Sequence, residues 1–220
     1  ITGTNDAPVI TDGPDTAALT ENAASPLVAT GTLTAADPDT SDVVSVSAAL
    51  TSSNTGTSSR TDPAAPSNAQ LLAMFSASKA GTTVTWNFNA GSTSFDYLAQ
   101  GETLILVYTV TATDDDGTPL SASETVTITI TGANDAPTLS ASQTSASYTD
   151  TAADDTFSTV SGSLSSTDAD TKDGATYGIT GGTANTSRAG FNVGKTGNYG
   201  TLFLNSVNGS YLFVPDDAAI

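Results

Sequence analysis

The sequence predicts an all-β protein built from two tandem β-sandwich domains, the second of which lacks its last strands. Three observations lead to this prediction. Motifs near the start of the chain recur about 130 residues later. Short segments alternate between apolar and polar residues with the period of a β-strand. The chain contains 40 Thr and 27 Ser, which suit half-exposed strands, and its 20 Asp against 3 Glu favour turns over helices.

The tandem organisation rests on two motifs that repeat in the same order. Residues 2–9 (TGTNDAPV) recur at 131–138 (TGANDAPT), an offset of 129, and residues 31–39 (GTLTAADPD) recur at 162–170 (GSLSSTDAD), an offset of 131. Such near-constant spacing predicts repeated structural units. We therefore expect domains at 1–133 and 134–220, joined by a short Asn-Asp-Ala-Pro linker that its proline stiffens.

Strand signals in the first domain are β-branched or alternating segments separated by turns. They lie at residues 43–50, 82–88, 103–112 and 124–131. A Ser-x-x-Gln capping pattern at 67–70 predicts one short helix, which follows a Ser/Thr/Pro-rich loop at 51–66. Several short strands with frequent turns are typical of a β-sandwich.

The second domain contains a predicted hairpin but lacks counterparts of the most apolar strands. The hairpin joins residues 201–204 and 211–214 through an Asn-Gly turn. Aligning 210–213 with 85–88 leaves nothing to match residues 96–131. A sandwich without two strands exposes its core and its strand edges. We expect that the chain continues further or that another segment supplies these strands.

Composition excludes several classes of function. The formal charge of −18 and the pI near 4.1 oppose binding to nucleic acid or to anionic membranes, which favour basic surfaces. The chain has no Cys and no His, so it lacks thiolate sites, Ser-His-Asp triads and most transition-metal ligands. We therefore predict that the protein is not an enzyme. No apolar run approaches the length of a membrane span, so we predict no membrane insertion.

Acidic residues cluster at matching places in the two domains. Asp-x-Asp follows the first strands of each domain, Asn-Asp begins each domain, and three Asp stand together at 114–116. Ca²⁺ takes six to eight oxygen ligands, which such clusters can supply. Asp-Pro-Asp and Asp-Asp-Gly are also ordinary turn sequences on an acidic surface. Recurrence in both domains, and the repulsion among three adjacent carboxylates, favour calcium.

Two sets of motifs carry a resemblance to known families. Residues 112–121, the alternating strand that follows and the linker at 134–137 resemble the closing strands and linker of cadherin domains. Residues 98–110 and 209–216 resemble the VCBS repeats of large bacterial RTX-type surface adhesins. The resemblance implies Greek-key (cadherin/Ig-like) sandwiches, Ca²⁺ at domain junctions, type I secretion, and a role in cell adhesion and biofilms at the surface of a Gram-negative cell.

The same resemblance implies two calcium sites. An upper site would draw on Asn5, Asp6, Asp37, Asp39, Asp114 and Asp116. A junction site would draw on Glu21, Asp96, Asn134, Asp135, Asp168 and Asp170. The linker reads Asn-Asp-Ala and offers fewer candidate ligands than the linker of animal cadherins. Asp150 is a weaker candidate ligand of the second domain.

The resemblance favours a calcium-stiffened spacer whose partners are neighbouring repeats of the same polypeptide. One alternative is an adhesion module that binds a sugar or peptide through the insert at 51–81 and the aromatic residues Trp86, Tyr97 and Tyr211, although Trp86 also suits the core of a sandwich. Another is a split scaffold domain that carries an inserted recognition domain. A surface glycan or protein would then be bound through a further module.

Overall fold

The computed structural model describes residues 3–21, 26–53, 56–58 and 60–220. Thr2 of the first repeated motif, and residues 54, 55 and 59 of the predicted loop and insert, lie outside the described residues. The described chain forms two compact units. Unit 1 comprises Ile1–Asp135 with Ala169–Lys172, and unit 2 comprises Ala136–Asp168 with Asp173–Ile220.

Unit 1 is a sandwich of two four-stranded sheets. One sheet has the strand order β1-β3-β6-β5, and the other has the order β2-β8-β7-β4. All strand pairs are antiparallel except β2 with β8. The elements along the chain are β1 (Val9–Thr11), β2 (Asp15–Thr20), β3 (Val28–Ala36), β4 (Ser45–Ser52), α1 (Asn68–Ala73), β5 (Phe75–Ala80), β6 (Thr83–Asn89), β7 (Thr103–Thr113) and β8 (Ser121–Thr131). The predicted all-β sandwich is confirmed.

The core of unit 1 follows from strict alternation in β7 and β8. Every second residue of β7 from Leu104 to Ala112 is fully buried, and so are Val126, Ile128 and Ile130 of β8. Their neighbours along each strand are Thr, Ser or other partly exposed residues. Since the side chains of a strand alternate between faces, this pattern places one apolar face of the β7–β8 pair against the other sheet.

The single helix among the described residues begins at the predicted cap. The Ser67 side chain accepts the Gln70 amide at 3.3 Å, and the Gln70 side chain accepts the Ser67 amide at 2.8 Å. This reciprocal pair confirms the predicted capping box. The helix buries Leu71, whose carbonyl oxygen accepts a 2.8 Å hydrogen bond from the hydroxyl of Tyr108. Among the described residues, no apolar helix reaches membrane-spanning length.

The described strands of unit 2 form one six-stranded arrangement with the order β11-β12-β13-β14-β10-β9. The first half of β10 pairs with β14, and its second half pairs with β9. The predicted hairpin is confirmed as β13 and β14, with Gly209 at a φ of +73° in the turn. The strands are β9 (Thr138–Ala141), β10 (Val160–Thr167), β11 (Thr183–Ala184), β12 (Val193–Gly197), β13 (Gly200–Leu204) and β14 (Ser210–Pro215).

Candidate metal-binding clusters

Unit 1 contains an acidic group that we name the upper cluster, formed by Asp37, Asp42 and Asp114. One carboxylate oxygen from each lies within 4.8 Å of the other two. Asp37 directly follows β3 and Asp114 directly follows β7, so strands from both sheets deliver their carboxylates to the same place. The residues are 77 positions apart in the chain, and only the fold brings them together.

Hydrogen bonds hold the buried carboxylate of Asp114 in a fixed orientation. Both of its oxygens accept the Leu120 amide at 3.1 Å, and Oδ2 accepts the side-chain amide of Asn5 at 3.2 Å. Asn5 also donates to the Thr118 carbonyl at 3.2 Å. With its amide nitrogen engaged in this way, the Oδ1 atom of Asn5 is buried and has no hydrogen-bond partner among the described residues.

Asp37 presents a second buried oxygen to the upper cluster. Its Oδ1 accepts the backbone amide of Asp39 at 2.9 Å, whereas its buried Oδ2 has no hydrogen-bond partner among the described residues. Buried acceptors normally have a hydrogen-bond partner, because a buried acceptor without one costs about 1–3 kcal/mol of stability. A hard cation satisfies such oxygens, and the donor set of carboxylates and an amide suits Ca²⁺.

Three other predicted residues of the upper site lie beside the cluster rather than in it. Asp39 accepts the backbone amide of Asp6 at 2.8 Å through Oδ2, so it orients the start of the chain. The side chains of Asp6 and Asp116 are exposed, and the Asp116 amide donates to Asp114 at 3.3 Å. The neighbouring Asp115 accepts the Val43 amide at 2.7 Å.

Asp42 is a member of the upper cluster that was not predicted from the sequence. It follows Asp37 by five residues in the segment DPDTSD, and the available signal was this third Asp of the same turn. Burial raises the pKa of Asp42, and the carboxylates of Asp39, Asp116 and Asp37 raise it further against a lowering contribution from the Ser41 hydroxyl. Accumulated negative charge is therefore a property of this turn as well as of the Asp114 segment.

A second group, which we name the linker cluster, is formed by Glu21, Asp96 and Asp135. One carboxylate oxygen from each lies within 4.8 Å of the others. Glu21 directly follows β2, Asp96 lies between β6 and β7, and Asp135 lies just beyond β8. All three belong to unit 1, although Asp135 is its last residue before the chain enters unit 2.

Glu21 is the most enclosed member of the linker cluster. Its side chain is 3% exposed, and Oε2 accepts the Ala133 amide at 3.0 Å. Oε1 is buried and has no hydrogen-bond donor among the described residues. Burial raises the pKa of Glu21, and the nearby carboxylates of Asp135 and Asp96 raise it further, against the opposing effect of the Ala133 amide. Bringing a cation to this place would offset both burial and repulsion.

Asp170 positions the linker cluster by accepting a hydrogen bond from the backbone of Asp135. Its carboxylate is fully buried, and Oδ2 accepts the Asp135 amide at 2.8 Å. Residues 169–172 are further held within unit 1 by Thr171, whose hydroxyl donates to Asp62, and by Lys172, which pairs with Glu102 and donates to the Thr57 carbonyl at 3.2 Å. The Lys172–Glu102 pair was not predicted from the sequence.

Two predicted residues of the junction site are placed differently. The side chain of Asn134 is exposed, and its amide donates to the carbonyl oxygen of Asp135 at 2.8 Å. Asp168 belongs to unit 2, where it lines a surface cavity of about 580 Å³ together with Asp173. The weaker candidate Asp150 is exposed in unit 2.

The aromatic residues considered for a sugar or peptide site do not share an open surface. Trp86 and Tyr97 are 1% and 4% exposed, and the Trp86 indole donates to Asp15 at 2.8 Å. Tyr211 is part of unit 2. Trp86 is therefore one of the aromatic residues of the unit 1 core.

The chain is similar to several solved structures. No family model matches, and no curated protein matches. A crystal structure of human CDH23 EC21-23 is 15% identical with a TM-score of 0.43, covering 97% of this chain and 55% of that one. The protocadherin gammaB7 EC3-6 cis-dimer structure is 14% identical with a TM-score of 0.38, covering 94% and 43%. Drosophila N-cadherin EC1-4 is 15% identical with a TM-score of 0.32, covering 97% and 42%. The chain thus spans about half the length, or less, of these similar structures.

Proposed function

We propose that this chain is a calcium-binding spacer of an extracellular adhesion protein, in which Ca²⁺ stiffens tandem β-sandwich domains. The observation that carries the proposal is that unit 1 gathers carboxylates distant in sequence into two separate clusters. Each cluster also contains a buried side-chain oxygen that lacks a hydrogen-bond donor among the described residues. Oxygen-only donor sets without His or Cys favour Ca²⁺ over transition metals.

Each cluster contains candidate calcium ligands, and neighbouring residues position the segments that carry them. In the upper cluster, Asp37, Asp42 and Asp114 would hold the ion with Asn5 Oδ1. In the linker cluster, Glu21, Asp96 and Asp135 would hold the second ion. Asp39 and Asp170 accept backbone amides of Asp6 and Asp135, so they position the chain segments that carry the ligands.

Stiffening would arise because the linker itself supplies a ligand. Asp135 stands two residues before Pro137, at the point where the chain leaves unit 1. Without a cation, three carboxylates within 4.8 Å repel one another and oppose this linker conformation. With Ca²⁺ bound, the repulsion becomes attraction and the backbone of residues 133–136 is restrained. Such restraint turns a row of domains into a stiff spacer.

Extracellular calcium is concentrated enough for this role. Extracellular calcium modules bind with dissociation constants of about 10⁻⁴–10⁻³ M. Calcium at 10 to 100 times the dissociation constant adds about 1.4–2.7 kcal/mol of stability per site. The chain would therefore be less stable where calcium is scarce and would gain stability after export.

The finer part of the proposal concerns the source of the chain. The VCBS-like motifs at 98–110 and 209–216 support a place in a large bacterial RTX-type adhesin, exported by type I secretion to the cell surface. The partners would be neighbouring repeats of the same polypeptide, with adhesion targets bound by other modules. The role is mechanical and requires no catalytic step.

The proposal is tested by calcium titration of the 220-residue chain. We expect calorimetry to find two Ca²⁺ sites, with Mg²⁺ unable to replace calcium at equal concentration. Hydrogen exchange should slow at residues 133–136 when calcium is added. Absence of calcium binding at about ten times the usual extracellular dissociation constant would refute the proposal. Binding without slower exchange in the linker would refute the stiffening role.

A further inference from the structure

Unit 2 carries an apolar sheet face that the spacer function does not use, and its side chains are half-buried except for Leu204, which is 1% exposed. A cavity of about 720 Å³ lies over the sheet, and it is lined by side chains of β10, β13 and β14 together with residues of the adjoining loops. The lining includes Ala141 of β9, and its residues from β10, β13 and β14 are Val160, Leu164, Leu202, Leu204, Tyr211 and Phe213. The described lining contains no charged side chain, in a chain whose net charge is −18.

Strand register shows that this face corresponds to a buried face of unit 1. In unit 1, Gly31 of β3 pairs with Trp86 of β6, and in unit 2, Gly162 of β10 pairs with Tyr211 of β14. A Cβ on Gly31 would lie 2.5 Å from the Trp86 ring, and a Cβ on Gly162 would lie 2.2 Å from the Tyr211 hydroxyl. Both glycines therefore make room for an aromatic ring on the facing strand.

The remaining pairs follow in the same register. Leu164 takes the place of Leu33, and Phe213 takes the place of Phe88. On the next strand, Leu202 pairs with Phe213 as Phe75 pairs with Phe88. The sheet β9-β10-β14-β13 is thus the counterpart of β1-β3-β6-β5, and the alignment of 210–213 with 85–88 is confirmed.

Unit 1 shows what covers such a face. Leu33, Phe75 and Phe88 are each less than 7% exposed because β7 and β8 pack over them. The ring of Tyr108 on β7 stacks on Phe75 with 4.2 Å between centroids. No strand among the described residues of unit 2 takes the place of β7 or β8, and the equivalent residues there line the cavity.

We propose that the apolar face of β10, β13 and β14 binds a two-stranded β-hairpin whose apolar residues alternate with Thr or Ser. The β7–β8 pair defines this chemistry, since its two 11-residue strands contain only one charged residue, Glu124. An uncharged lining favours an uncharged occupant, because burying an unpaired charge against it is costly. Each apolar side chain that the hairpin inserts adds burial energy to the complex.

A peptide that reproduces residues 103–131 provides the probe. Added to the full 220-residue chain, it should slow hydrogen exchange in β10, β13 and β14. The control peptide has Ser at the positions of Leu106, Tyr108 and Ile128, and it should bind at least tenfold more weakly. Because this control alters only the peptide, it leaves the folding of the protein unchanged.

Substitutions in the protein test the same face. Leu202→Ser should weaken peptide binding about tenfold or more, since a buried leucine contributes more than the 1.4 kcal/mol that a tenfold change represents. The matched control Val207→Ser removes an aliphatic side chain that is 77% exposed and should leave binding unchanged. Circular dichroism verifies that each variant keeps its strands.

Three results would overturn the proposal. One is the absence of protection at about 100 µM peptide. Another is equal binding of the two peptides. The third is self-association of the chain, detected by sedimentation and abolished by Leu202→Ser, without any peptide binding, which would make a second copy the occupant.

Discussion

The substitution Glu21→Gln tests whether Glu21 binds Ca²⁺ or only accepts a structural hydrogen bond. Glutamine keeps the oxygen that accepts the Ala133 amide at 3.0 Å, while it removes the negative charge from the linker cluster. Without calcium, the variant should be at least as stable as the wild type. Two carboxylates within 4.8 Å of Glu21 repel it by on the order of 3 kcal/mol each at the effective dielectric constant of about 20 that applies to charged groups in proteins.

With calcium, the order of stability should reverse. At a hundredfold excess over the dissociation constant, one occupied site adds about 2.7 kcal/mol. Unit 1 has about 140 residues, for which the entropy of unfolding near 60 °C is about 0.3 kcal/mol/K. The wild type should therefore gain about 9 °C in Tm from the linker site alone, and Glu21→Gln should lose that part of the gain.

The assay is differential scanning calorimetry in chelator and in saturating calcium. Glu124→Gln is the matched control, because it removes the same charge from β8 at a position outside both clusters. It should keep the full calcium-induced rise. If Glu21→Gln kept that rise, or lost equal stability with and without calcium, Glu21 would not be a calcium ligand.

Three further predictions concern other residues of unit 1. Asp42→Asn should reduce the calcium-induced rise in Tm by about 9 °C, by the same reasoning as for the linker site. The control Asp154→Asn in unit 2 should leave this rise unchanged. If Asp42→Asn also left the rise unchanged, Asp42 would not be a calcium ligand. Gly31→Ala should destabilise unit 1 by about 1–3 kcal/mol in urea unfolding, since a Cβ would lie 2.4 Å from Asp15 Oδ2; Gly117→Ala, with open space around it, should have little effect. Burial raises the pKa of Tyr108 above its usual range. The unfolded state therefore releases this proton first, and the stability of the wild type should fall above pH ~10 by up to ~1.4 kcal/mol per pH unit. Tyr108→Phe should be less stable at neutral pH, because Leu71 loses its 2.8 Å hydrogen bond, but its stability should decline less steeply in alkaline urea titrations.

Local patterns predicted most of the secondary structure. The alternation of residues 124–131 placed β8, and the Ser67–Gln70 pattern placed the helix cap, because strand period and capping act over a few residues. The Asn-Gly turn placed the β13–β14 hairpin for the same reason. The parallel pairing of β2 with β8 was not predicted, because it joins segments more than a hundred residues apart.

For the candidate metal sites too, the sequence predicted local features but not the contacts between remote residues. Sequence motifs identified Asp37, Asp114, Glu21, Asp96 and Asp135 as acidic residues of interest, and the structure places them in two clusters. Motifs alone did not separate Asp39 and Asp170, which accept backbone amides, from these clustered residues. Which oxygen accepts a local amide and which stays without a donor depends on the backbone around it.

Composition and local residue order were enough to predict the β class and the repeat at about 130 residues. They also predicted that any metal would be held by oxygen ligands, because the chain has no His and no Cys. The packing of the chain was needed to show that Asp42 joins Asp37 and Asp114, that Oε1 of Glu21 is buried without a hydrogen-bond donor among the described residues, and that the apolar face of β10, β13 and β14 lines a cavity. Burial and the convergence of side chains depend on strands that are remote in sequence. In unit 1, β7 and β8 cover the corresponding face, and no strand among the described residues of unit 2 takes their place.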